Sequence, residues 1–335
     1  MLRPVATFID DYRIWYKVTF QRGRILTTRG DAWRDLGHPD LLAEPGRWFG
    51  NGHAVPDVRR ETPRAGRLAD VIPFSFPSPR PIEGYPYAET NTVCGFLHLC
   101  RGRPGAPAIV LSHGWAHDDH RTVERIFVEP LLEAGFSVAV VAHPFHFDRT
   151  PAGTYSGELM VTGDVVLTAE AFRQGVADLS AAVSWLRDEG LNVGVMGYSL
   201  GGYLAALVAC VRDDLGAVVI GAAGDSVVSP ILDTRLGVNV REDLSQSGMH
   251  ARDRLETAWG IISPGRLAPR VPRERILMVA GEWDRIMLPS SVQRLQEAWG
   301  RPELRWEPQG HYTLLAVPGR LVRRSLPFLQ QTMGP

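Results

Sequence analysis

From residue 108 onward the chain alternates short apolar runs with longer segments of helical spacing. AIVLS (108–112), SVAVVA (137–142), the run around Val193, Val195 and Met196, GAVVIGA (216–222) and RILMVAG (275–281) are nearly unbroken in apolar character. Such runs read as buried strands. Segments 121–134, 168–187, 290–299 and 314–329, with the stretch after Ser199, place apolar residues three and four apart and read as helices; 304–307 adds a last strand. Unbroken apolar strands alternating with amphipathic helices imply an α/β fold, a mostly parallel sheet with helices on both faces.

Upstream, VIPFSF from Val71 and TVCGFLHLC (92–100) alternate more strictly and predict antiparallel strands leading into that sheet. Residues 1–70 read as a separate N-terminal helical and irregular extension to a domain spanning 71–335. Phe8, Tyr12, Trp15, Tyr16 and Phe20 predict an amphipathic helix interleaved with Arg13, Lys17 and Arg22. Packing across its own domain is the favoured reading; aromatics beside bases would also suit a lipid surface. Residues 38–68, with Pro39, Pro45, Pro56 and Pro63, predict an irregular surface segment. Residues 225–274 separate two core strands by far more than a usual connection, which predicts a small lid insertion over the site. There Met249, Leu255, Trp259, Ile261 and Ile262 either offer an apolar face to an acyl chain or pack the lid down.

Chemistry enters at Leu191–Leu207, LNVGVMGYSLGGYLAAL. A strand passes through Gly197-Tyr198-Ser199-Leu200-Gly201 directly into a helix, the context a nucleophile elbow requires. The turn leaves no room for a Cβ at the flanking glycines, and it strains the serine backbone so that Oγ points outward. Ser199 needs a base, and His311, in the loop between the last strand and the last helix, is the candidate. The imidazole needs an orienting carboxylate. Asp284, after RILMVAG, is preferred to Asp225, which ends the preceding strand, and to Glu282, two residues away. Oxyanion donors are expected from the Leu200 N–H and, beside Gly114, from the Trp115 N–H. His113 reads as a structural loop residue.

These motifs resemble the α/β-hydrolase superfamily: HGW at 113–115, GYSLGG at 197–202, GEWD at 281–284 and GH at 310–311, covering about residues 90–333 in the expected order. Within it, the loop HPFHFDRTPAGTYSGE (143–158) and the long helix after it resemble bacterial members of the domain-18 branch. The resemblance implies the α/β-hydrolase fold and a serine nucleophile, with a triad of Ser199, His311 and Asp284.

His143, His146 and Arg149 follow the next strand and, with Gly114, are candidates for the pocket wall. Arg149 suits either an anionic substrate group or a loop salt bridge. His117-Asp118-Asp119-His120 offers four metal-ligand types in a row, but consecutive residues rarely converge on one ion, and an aspartate N-cap for the following helix explains the run better. No metal and no cofactor is therefore expected.

Composition narrows the rest. In 335 residues the formal net charge is −1, so no global field recruits nucleic acid or an anionic membrane. Three cysteines, Cys94, Cys100 and Cys210, cannot all pair; reduced thiols in a cytoplasmic protein are expected, with a Cys94–Cys100 bridge left open. The N-terminal stretch lacks the continuous apolar core of a signal peptide or membrane span. The expected activity is cleavage of a small-molecule carboxylic ester, lipid or thioester acyl groups included. A prolyl-peptidase-like serine peptidase and a catalytically silent ligand-binding relative are the alternatives. Oligomeric state is not legible.

Overall fold

The computed structural model describes residues 2–50, 53–103, 105–115, 120–316 and 319–334. Its strands are β1 (Arg59–Arg60), β2 (Arg64–Ala65), β3 (Ala69–Pro77), β4 (Thr92–Cys100), β5 (Ala108–Ser112), β6 (Ser137–Val141), β7 (Val193–Tyr198), β8 (Val218–Gly221), β9 (Ile276–Gly281) and β10 (Glu303–Glu307). They form one sheet in the order β1-β3-β4-β6-β5-β7-β8-β9-β10, with β2 also paired to β3. Neighbours from β6 through β10 run parallel, while β1 to β4 join antiparallel at one edge.

The unbroken apolar runs follow from cover on both faces. Ile109, Leu111 and Met196 face a layer containing Phe127, Leu131, Leu321 and Phe328. Their neighbours Val110 and Val195 face the helices Val165–Asp188 and Leu200–Val211 through Leu179, Leu204 and Leu207. Each large aliphatic side chain buried in this way contributes roughly 1.5–3 kcal/mol.

The structure departs from the expected local elements in three places. Segment 121–134 is not one regular helix: Glu124–Val128 widens into a π turn before Glu129–Glu133. Pro130 is the physical reason, since its ring meets the carbonyl four residues back and it lacks the N–H a regular turn would use. Segment 38–68 is more ordered than its prolines suggest, with short helices Pro39–Ala43 and Pro45–Phe49, each started by its proline, and Phe49 buried. Segment 314–329 is two helices, Thr313–Ala316 and Arg320–Met333, the second preceded by Gly319 at φ 71°.

The N-terminal helix Arg3–Phe20 does pack on the body, but through Ala6, Asp10, Ile14 and Lys17. Its aromatic side, from Phe8 through Tyr12, Trp15 and Tyr16 to Phe20, is exposed. On this inward face the surface beneath offers amide donors to Asp10 and the Trp115 ring to Lys17. Among the described residues, no helix is long and apolar enough to cross a membrane. Cys94 and Cys100 are free and lie six residues apart on β4, about 20 Å by strand rise, which excludes the bridge left open above.

Candidate active site

Ser199 stands at the carboxyl end of β7 as the residue before the helix Leu200–Val211, at φ 56° and ψ −117°. A left-handed backbone at a non-glycine residue is strained and persists only where its surroundings hold it. Here the holding is visible. Ser199 N–H donates to Gly221 O at 2.8 Å at the end of β8, and its carbonyl accepts from Tyr203 N–H at 3.0 Å. A Cβ on Gly197 would lie 1.9 Å from Gly201 O, and one on Gly201 would lie 2.0 Å from Ser112 O. The glycines are therefore a condition of the turn.

Two further loops reach the serine. His311, after β10, has Nε2 3.0 Å from Ser199 Oγ and Nδ1 2.7 Å from Asp284 Oδ2. Asp284, after β9, has its other oxygen fixed by the N–H groups of Ile286 (2.8 Å) and Met287 (2.7 Å). The two loops are laced together: Glu282 N–H donates to Glu307 O at 2.8 Å and Trp283 N–H to Gln309 O at 2.9 Å. Tyr198 O–H donates to the carbonyl of His311 from the strand below. Burial works against charge on His311, yet the carboxylates of Asp284 and Asp10 hold its pKa above the ordinary imidazole range.

The rival acids are engaged or directed elsewhere. Asp225 accepts from Ser291 Oγ at 2.5 Å and from Arg294 at 2.8 and 3.0 Å. Glu282 is exposed.

Beside Ser199 lies a largely apolar cavity walled by Trp115, Phe172, Leu200, Tyr203, Trp259 and Met287, with Val161, Val227, Pro230, Ile231, Leu236, Ile286 and the hydroxyl-bearing Thr168 completing it. Of the five residues singled out in segment 225–274, only Trp259 reaches this wall; Met249, Leu255, Ile261 and Ile262 are buried in the core.

Gly114, His143, His146 and Arg149 are not among the lining residues, contrary to expectation. They lie behind it. His113 and His143 stack with ring centroids 4.0 Å apart, His143 N–H donating to His113 Nε2 at 3.2 Å. His146 is fully buried against Pro144 O, and burial pushes its pKa down to about 4. Arg149 is buried, pairs with Asp178 at 2.8 Å and donates to the carbonyls of Thr90 and Ala142. With every direction of its guanidinium fork turned into the fold, it takes the salt-bridge alternative.

Trp115 Nε1–H donates to Gly157 O at 2.7 Å, and Lys17 Nζ sits 3.7 Å from the ring centroid. Of the four-residue run considered for metal, His117, Asp118 and Asp119 lie outside the described residues; His120 opens the helix His120–Val123 and packs against Phe96 and Phe147.

Sequence reasoning missed Asp10. It lies on the N-terminal helix, completely buried, and accepts from His311 N–H at 2.7 Å and Tyr312 N–H at 2.9 Å. The available signal was an acid within the stripe Ala6, Asp10, Ile14, Lys17, whose spacing marks one helix face.

Comparison with known proteins agrees with this architecture. A family model described as alpha/beta hydrolase domain containing 18 matches residues 105–233. An uncharacterized protein of Mycobacterium tuberculosis is 31% identical over 182 residues, 53% of this chain and 43% of the relative, so the match spans less than half of that relative's length. An uncharacterized protein of Bacillus subtilis, YdjC, is 25% identical over 103 residues, 31% of this chain and 88% of its own. Among solved structures, acetyl xylan esterase 1 from Thermoanaerobacterium is similar with a TM-score of 0.59 at 18% identity, over 90% of this chain and 96% of that one. A cold-adapted esterase from an Arctic intertidal metagenomic library gives 0.53 at 15% identity, over 81% and 97%. An acylaminoacyl peptidase of Pyrococcus horikoshii gives 0.56 at 15% identity, over 80% of this chain and 42% of that one. With the parallel sheet, the elbow after β7 and these similarities together, the chain has the α/β-hydrolase fold, and its residues 105–233 match a domain model of that superfamily.

Proposed function

We propose that the protein is a serine hydrolase that cleaves a carboxylic ester through an acyl-enzyme, with Ser199 as nucleophile, His311 as base and Asp284 as its orienting acid. The observation that carries this reading is the continuous contact Oγ–Nε2–Nδ1–Oδ2, at 3.0 Å and then 2.7 Å. His311 takes the hydroxyl proton as Oγ attacks the ester carbonyl, then returns it to the leaving alcohol. It next activates water, which displaces the acyl group from the serine. The N–H groups of Leu200 and Trp115 are assigned to the oxyanion, that of Leu200 reinforced by the start of a 12-residue helix. The cavity beside Ser199 is assigned to the acyl group, because its wall is almost wholly aliphatic and aromatic.

Ser199→Ala is expected to abolish turnover of p-nitrophenyl acetate and labelling by a fluorophosphonate while keeping the wild-type unfolding temperature. Undiminished turnover in that variant would refute the assignment. A panel of peptide substrates run beside the esters separates esterase from peptidase.

A further inference from the structure

We propose that Asp10 is a positioning residue of the Ser199–His311–Asp284 site, clamping the His311 loop from the N-terminal helix and presenting a second negative charge to the imidazole. The inference rests on the serine-hydrolase reading and extends it to a segment that the motifs of the superfamily do not explain.

The geometry is specific. One carboxylate spans two successive amides, Oδ2 accepting from His311 N–H at 2.7 Å and Oδ1 from Tyr312 N–H at 2.9 Å. Oδ2 also lies 3.5 Å from Arg285 N, the residue after Asp284. A single side chain thus ties the loop of the base to the loop of the acid. The approach depends on a glycine, because a Cβ on Gly310 would stand 2.5 Å from Asp10 Oδ2. Two outer contacts seat the same helix: Arg285 pairs with Asp11 at 2.9 Å, and the Arg13 guanidinium lies 5.1 Å from the Tyr312 ring centroid. Neither outer contact touches the His311 backbone.

These Asp10 contacts are all N–H donors, which suits an ionised carboxylate. Burial holds the Asp10 carboxyl above the ordinary carboxylate range; the charge of His311 and the two amides oppose that push, and the Asp284 charge adds to it. The charged and titratable groups facing His311 are Asp284 from the loop after β9, Asp10 from the N-terminal helix, Tyr198 from β7 and Tyr312 beside it. Arg13 and Arg285 stand one layer further out. Of these, Asp284 and Asp10 both favour the protonated imidazole. Asp284 does so by direct hydrogen bond; Asp10 acts through the backbone and through space.

A clamp of this kind makes a prediction that ordinary helix packing does not. Asp10→Asn and Asp10→Ser each keep an acceptor and remove the charge, so that misfolding of one leaves the other to be read. In both, the rising limb of kcat/KM against pH for p-nitrophenyl acetate should move down by about one pH unit, as expected for losing one nearby buried charge. The turnover number should fall about 10–100-fold through misalignment of the imidazole, with KM little changed. Asp11→Asn loosens the same helix without touching His311 and should leave the limb where it is. NMR titration of the His311 ring in the same proteins needs no turnover and should show the same downward shift. A limb and a ring titration that stay at wild-type positions in both Asp10 variants overturn the proposal. Failure of the wild type to react with a fluorophosphonate is a separate outcome; it removes the hydrolase reading and this inference with it.

Discussion

Replacing Asp284 by asparagine isolates the chemical role of one atom. Asp284 Oδ1 is held by the amides of Ile286 and Met287 at 2.8 and 2.7 Å. In Asp284→Asn the carbonyl oxygen must take that place, because an NH2 group there would face two donors. The NH2 group then stands where Oδ2 was, 2.7 Å from His311 Nδ1 in the parent structure. It donates to Nδ1 and drives the ring proton to Nε2, the nitrogen that faces Ser199 Oγ. An imidazole in that tautomer cannot accept the serine proton. Loss of about 10⁴ in kcat is expected from such a tautomer switch, or ~5.5 kcal/mol in activation free energy. The assay is steady-state hydrolysis of p-nitrophenyl acetate, with thermal unfolding recorded alongside, since shape and both amide contacts are retained. Asp225→Asn is the control: its carboxylate is bound to Ser291 and Arg294, so kcat should not change. A loss below about tenfold in Asp284→Asn, or an equal loss in Asp225→Asn, would sink the assignment of the acid.

The remaining predictions concern the turn, the pH profile and the loop behind the site. Gly201→Ala places a Cβ 2.0 Å from Ser112 O, a backbone atom that cannot step aside; stability should fall by more than about 2 kcal/mol in urea unfolding, and fluorophosphonate labelling should be lost. In the proposed mechanism the neutral imidazole is the base, and His311 is held above the ordinary range, so wild-type kcat/KM should rise with pH through an apparent pKa above ~6.5. A midpoint at or below that value counts against the two carboxylates acting on it. Arg149→Met leaves Asp178 buried without its partner and should cost about 3–5 kcal/mol in chemical unfolding. The same variant should show no change in preference between neutral and anionic esters; a selective loss toward anionic ones would return Arg149 to the pocket.

The helices Val228–Leu232, Val238–Gln246 and Arg252–Ala258 were not legible in the local pattern. That pattern by itself determined the strands from β5 to β10, the helices at 168–187, after Ser199 and at 290–299, and the loops on which Ser199, His311 and the candidate acids stand. The reason is physical: a buried strand, an amphipathic helix and a glycine-bounded turn are each stamped on consecutive residues by period and backbone freedom. Where neighbouring residues contradicted the period, as at Pro130, the regular helix gave way to a π turn. What no local pattern carries is distance between segments far apart in the chain. Only the tertiary structure decided that Asp284 rather than Asp225 meets the imidazole, that Arg149 turns inward to Asp178, and that Trp259 alone of its five candidates reaches the cavity. Asp10 makes the point most sharply. Its charge is ordinary on a surface helix and becomes a feature of the site because it accepts from two amides 301 and 302 residues away in the chain.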